Sequence, residues 1–238
     1  MSKLLMCVIF CISLFMLLSV VPVYAVDVYK ISEYAGGHQI WFEAEAFDSR
    51  DPDSENNPGI GFKRVDAETN IDLPDDTFGD ALINVQGNDK IWLIYNFDIS
   101  ETGGKAGTWY LRARLINPGN RSEWLWMLGD DGDKIPDVKP VFDKGDDRIF
   151  DANLGPPWSW MSRTEGEMKE LQDGENAMMV WHREGDTTVM WDVLLWSDNP
   201  AYSPTDDDYR NAEEIALNIS VEPAGKAAVT WGAIKGGY

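Results

Sequence analysis

Trp41-Phe42-Glu43-Ala44-Glu45-Ala46-Phe47-Asp48 alternates with a period of two. Side chains of a strand point alternately to its two faces, so this stretch predicts a β-strand with Glu43 and Glu45 side by side on one face. Neighbouring anions on a sheet repel unless water or a cation neutralises them. Two readings follow. Either the pair faces solvent on an edge strand, or a divalent cation sits between the two carboxylates.

Working outward from that strand, short β-type segments separated by Gly, Pro, Asn and Asp dominate. Strands are predicted at 39–47, 81–85, 91–97, 108–116 and 123–128, then at 166–171, 177–182 and 188–196. Turn signals between them include Gly87-Asn88-Asp89, Asn117-Pro118-Gly119-Asn120 and Asp173-Gly174. Evenly spaced short strands of this kind predict an all-β chain, an antiparallel β-sandwich or jelly roll. Two long polar stretches, 49–80 and 129–157, are expected as loops. Thr205 followed by three aspartates is a helix start and predicts one short C-terminal helix over 206–216.

Residues 1–25 have the pattern of a signal peptide: Lys3, an apolar run, then Val23-Tyr24-Ala25 as a cleavage site, with an uncleaved anchor as the alternative. Residues 26–200 then form the sandwich domain and 201–238 a helix and tail. Both cysteines, Cys7 and Cys11, lie in the leader, so the remainder has no disulfide and no thiolate chemistry. The expected location is outside the cell, secreted or at the surface. The formal charge of the whole chain is −21. That argues against nucleic acid and against anionic membranes as partners. Most of these carboxylates are expected to serve solubility, and some could hold calcium, which takes oxygen ligands.

Several features occur together in a definite order. Glu43-Ala44-Glu45 is followed by Gly107 and the strand Trp109-Tyr110-Leu111-Arg112-Ala113-Arg114. Then come Pro156-Pro157-Trp158-Ser159-Trp160, a Leu171–Gly174 turn, and Met190-Trp191-Asp192. This order resembles the secreted β-sandwich carbohydrate-binding modules of families six and thirty-five, over roughly residues 39–197. The resemblance implies a structural calcium held by Glu43, Glu45 and Asp192, joining the opening and closing strands. It also implies sugar binding through an aromatic loop at Trp158 and Trp160, because flat rings cover the apolar C–H faces of pyranoses. One of those two rings is expected to pack back onto the sandwich, and Trp158 is the one expected to be exposed. The modules often have an asparagine two residues before the closing aspartate, and here that position is Met190.

The other tryptophans divide by position. Trp92, Trp109, Trp191 and Trp196 lie in apolar strands and are expected in the core. Trp124 and Trp126 share one strand face and are either inner core or a flat binding platform. The acidic stretch 129–137 lacks the register of a calcium loop and is expected as a hairpin turn. No nucleophile elbow, zinc-binding helix or phosphate loop is present, so an enzyme is not expected. The sequence therefore predicts a non-catalytic, calcium-stabilised binder of an extracellular polysaccharide. A structural or adhesive surface protein, and a small polysaccharide-degrading enzyme, are the alternatives.

Overall fold

Alternating apolar strands must bury one face each, and here they do so by packing two antiparallel sheets against each other. The computed structural model describes residues 28–128, 135–136, 139–161 and 167–216, and the first 25 residues and the tail from 217 lie outside them. The first half of the chain gives β1 (Val28–Tyr34), β2 (Gly37–Glu43), β3 (Ser49–Arg50), β4 (Phe62–Arg64), β5 (Leu82–Asn84), β6 (Trp92–Asp98) and β7 (Gly107–Asn117). The second gives β8 (Glu123–Leu128), β9 (Arg148–Ile149), β10 (Leu154–Trp160), β11 (Met168–Leu171), β12 (Glu175–Trp181), β13 (Asp186–Ser197) and β14 (Glu213–Ala216).

Among the described residues, one sheet has nine strands, with the path β10-β7-β13-β2-β1-β14. Two strands share one edge of β7: β10 pairs with residues 114–117 and β11 with residues 107–110. The second sheet has five strands in the order β3-β6-β12-β8-β9. The core between the sheets takes Ile40 and Phe42 from β2, Tyr95 and Phe97 from β6, Leu125 from β8 and Val180 from β12. The fold class is all-β, as the alternation predicts.

The structure corrects several boundaries. The opening strand stops at Glu43, and Ala44–Glu45 form a turn, closed by a bond from Ala46 N–H to the Glu43 carbonyl. The stretch 154–160, expected in a loop, is strand β10. Among the described residues, three short α-helices are found where one was expected: α1 (Pro52–Asn56), α2 (Val65–Glu68) and α3 (Asp206–Asn211). Helix α3 opens on the expected Thr205 cap, in a capping box with Asp208, but ends at Asn211. The next residues, β14, add to the sheet by pairing with β1. The acidic stretch 129–137 lies almost wholly outside the described residues.

The outer face of the nine-stranded sheet is covered twice. Residues from the 65–85 excursion cover one half, burying Ile83, Ile116 and Trp158. The segment ending in α3 covers the other, laying Tyr202 and Tyr209 on Trp41, Val193 and Leu195.

Candidate functional site

The carboxylates of Glu43 and Glu45 do come together, by way of the turn and not by strand pleat. Both reach the backbone at Gly79, where a Cβ would lie 2.7 Å from Glu45 Oε1 and 2.8 Å from Glu43 Oε2. Gly79 also has a φ of +70°, so glycine alone suits the position. Glu45 Oε1 accepts a bond from Asp80 N–H at 2.8 Å, Glu43 Oε1 accepts one from Tyr209 Oη at 2.8 Å, and Glu45 Oε2 is buried without a partner. Burial pushes the Glu45 carboxyl up to about 9, with Glu43 and Asp80 adding to the rise and backbone N–H groups opposing it.

Asp192 is placed differently. It is the extra residue of a β-bulge in β13, where the register on β7 shifts between Trp191 and Val193. Its Oδ2 is paired with Nη1 of Arg114, and its Oδ1 accepts Phe78 N–H at 3.0 Å. Burial pushes the Asp192 carboxyl up to about 7 while Arg114 pulls it down. The same Arg114 donates from Nε and Nη2 to both oxygens of Asp206, at 2.9 and 2.8 Å. Its Nη1 also reaches the Asp76 carbonyl at 3.0 Å, and the guanidinium lies 4.4 Å from the Phe78 ring centroid. Both oxygens of Asp192 are thus engaged, and no group of three His, Cys, Asp or Glu residues among those described is arranged to hold a metal ion. Glu43 and Glu45 fit a cation as a pair, with the orphaned Glu45 oxygen as the open ligand. Asp192 does not fit as the third.

Trp158 and Trp160 lie two apart on β10 and so share the outer face of the nine-stranded sheet, the covered one. Trp158, expected as the exposed ring, is only 8% exposed, and its Nε1 donates to Thr77 Oγ1 at 3.1 Å. Trp160 is half-buried, edge-on to Trp41 at 5.7 Å, and donates to Asp206 Oδ1 at 2.8 Å. Met190 packs beside Trp158 on the same face. Two sequence-distant segments therefore cover the rings expected to meet a ligand.

The five-stranded sheet has the opposite character. Leu125 of β8 points into the core, so Trp124 and Trp126 point outward, and both are half-buried. The registers align Trp181 of β12 with Trp92 of β6 on one side and with Trp124 on the other. Three tryptophans thus form a row across three adjacent strands. The next row along the strands is Ile94, Met179 and Trp126. Trp92 was expected in the core. The signal lay in β6, where Leu93, Tyr95 and Phe97 form the more apolar stripe and leave Trp92 on the other face.

At the end of this sheet a buried polar cluster joins Glu123, Asn84 and His182. Asn84 Nδ2 donates to Glu123 Oε1 at 2.6 Å and lies 2.7 Å from His182 Nδ1. The cluster is nearly sealed from solvent.

No protein-family model matches the chain, and no curated protein matches it. Among solved structures, it is similar to a family 35 carbohydrate-binding module from Clostridium thermocellum, at 12% identity and a TM-score of 0.41, covering 66% of this chain and 96% of that one. It is also similar to the C-terminal family 6 module of a marine laminarinase from Zobellia galactanivorans, at 11% identity and a TM-score of 0.39, covering 67% and 99%. A Podospora anserina β-(1,4)-mannanase that carries a family 35 module gives 11% identity and a TM-score of 0.42 over 71% of this chain, which spans 29% of the mannanase. These three structures are, or contain, carbohydrate-binding modules of families 6 and 35. They are the group the order of motifs in the sequence resembles.

Proposed function

We propose that this chain is a secreted, non-catalytic glycan-binding protein, and that the outer face of the five-stranded sheet is its binding surface. The observation that carries the reading is the row Trp92–Trp181–Trp124 with Trp126 beside it, set at strand spacing, with Trp92, Trp124 and Trp126 half-buried and Trp181, 2% exposed, beneath residues 139–142. Sugar rings bind to such surfaces by laying C–H faces on aromatic rings. The loop rings Trp158 and Trp160 are replaced in this reading by Trp124 and Trp126. Calcium belongs to the reading as a structural ion that Glu43 and Glu45 would hold, supplying the positive charge that this carboxylate pair lacks.

The test is retention on a panel of soluble neutral polysaccharides by affinity electrophoresis. Trp124→Ala and Trp126→Ala should each weaken retention roughly tenfold or more, equivalent to about 1.4 kcal/mol or above. Unchanged retention in both variants, with wild-type circular dichroism, would remove the sheet face as the site. A wild-type protein retained by no polysaccharide would favour the structural or adhesive alternative.

A further inference from the structure

The tryptophan face is not bare. Residues 139–142 cross it without joining either sheet. The ring of Phe142 lies parallel to that of Trp124, with centroids 5.2 Å apart and 3° between the planes. It stands edge-on to Trp126 at 6.0 Å and lies 6.4 Å from Trp181. The strap is pinned at Lys139, whose Nζ donates to Asp89 Oδ1 at 2.8 Å and to the His182 carbonyl at 3.2 Å. The side chain of Asp89 is 83% exposed, and ion pairs so exposed contribute little. Val141, beside Phe142, is 96% exposed, and the strap rests on the sheet through the half-buried Phe142 ring and the Lys139 side chain, 20% exposed.

A phenyl ring is a flat apolar disc close in size to a pyranose, and it covers Trp124 as a sugar's C–H face would. We propose that Phe142 is a built-in competitor: it occupies the ring position over Trp124, and the 139–142 strap must lift before a glycan chain can lie along the tryptophan row. The proposal rests on the reading of this face as the glycan site. When only a fraction of molecules is open, the apparent affinity falls by that fraction. Releasing the strap therefore strengthens binding. Salt does the same, because it screens the Lys139–Asp89 pair while leaving contacts to a neutral sugar almost untouched.

The experiment compares the wild type with Phe142→Ala and Lys139→Ala in gels containing mixed-linkage β-glucan, arabinoxylan or galactomannan. Phe142→Ala should bind about tenfold tighter, and Lys139→Ala about two- to fivefold tighter, the range an exposed ion pair can supply. Wild-type binding should rise between about 20 mM and about 500 mM salt, and that of Lys139→Ala should not. Lys139→Ala leaves every aromatic ring in place, so it decides the matter even where Phe142→Ala fails to fold. Binding seen only in the variants is the same outcome in stronger form. Unchanged or weaker binding in both variants, with Trp126→Ala abolishing wild-type binding, overturns the strap and leaves the glycan face standing. No retention by the wild type or either variant overturns both.

Discussion

Replacing Glu123 with glutamine removes a titration that the fold has displaced. The side chain is sealed in the sandwich: Oε1 accepts from Asn84 at 2.6 Å and Oε2 accepts from Arg183 N–H. Burial pushes its carboxyl from 4.5 up to about 8, against the hydrogen bonds that pull it down. A group raised in the folded state stabilises fully below its unfolded pKa, and that stability is lost as pH rises through the folded one. For Glu123 the loss runs from about pH 4.5 to about 8, and at roughly 1.4 kcal/mol per pH unit it totals roughly 5 kcal/mol. His182 works the other way. Burial lowers it from 6.5 to about 4, so its stabilisation is present above 6.5 and lost as pH falls through 4. The two slopes oppose each other below pH 6.5, leaving Glu123 as the uncompensated member of the cluster from 6.5 to 8. That window is worth about 2 kcal/mol. Glu45 and Asp192 are raised too and add to the wild-type slope, so the difference between wild type and Glu123→Gln isolates Glu123. The amide also sets an NH2 group against Arg183 N–H, a pH-independent cost of about 1–3 kcal/mol. Urea unfolding at half-unit steps across the window measures both. The stability gap between wild type and variant should close by about 2 kcal/mol from pH 6.5 to 8. Parallel curves would refute the displaced titration.

Two further perturbations address the covered side of the sandwich. Arg114→Met strands Asp192, whose side chain is 0% exposed, and should cost about 3–5 kcal/mol in urea unfolding, whereas Asp206→Ala, removing a partner 35% exposed, should cost about 1 kcal/mol. The reverse order would contradict the placement of Arg114. Chelation should lower the melting temperature, with a loss of about 2.7 kcal/mol where calcium had stood at a hundred times its Kd; Glu45→Gln should be insensitive, and superimposable wild-type curves with chelator and with calcium would count against the ion.

The parts of the fold legible in the sequence are those governed by local alternation. The strand expected at 123–128 is found at Glu123–Leu128, and the one at 108–116 extends only to Gly107–Asn117. What was not legible depends on distant partners. Pro156-Pro157 disguised β10 as a loop, yet β10 ends the sheet path, where a missing N–H donor is tolerated. The acidic start of α3 was plain, but its end was set by β1, which draws residues 213–216 into the sheet. For the site, the shared face of Trp124 and Trp126 could be read and its direction could not. Alternation defines two faces of a strand without saying which one meets the other sheet. The cover over Trp158 and Trp160 was illegible for the same reason: it comes from residues some forty to eighty positions away.

Arg114 explains why the two sides of this sandwich differ. It alternates with the core residues Ala113 and Leu115 and so projects from the outer face of β7. There it meets the bulge carboxylate of Asp192, the Asp76 carbonyl and Phe78 of one covering segment, and Asp206 of the other. A single buried guanidinium thus holds both covers against the nine-stranded sheet, through planar, multidentate contacts that a lysine could not reproduce. Opposite charges gathered so closely also account for the fate of the expected calcium set. Asp192 has a cation partner in Arg114, while among the described residues no ion pair reaches Glu43 or Glu45. With that face closed by an arginine, the aromatic area left on an outer face is that of the five-stranded sheet, where Phe142 stacks on Trp124.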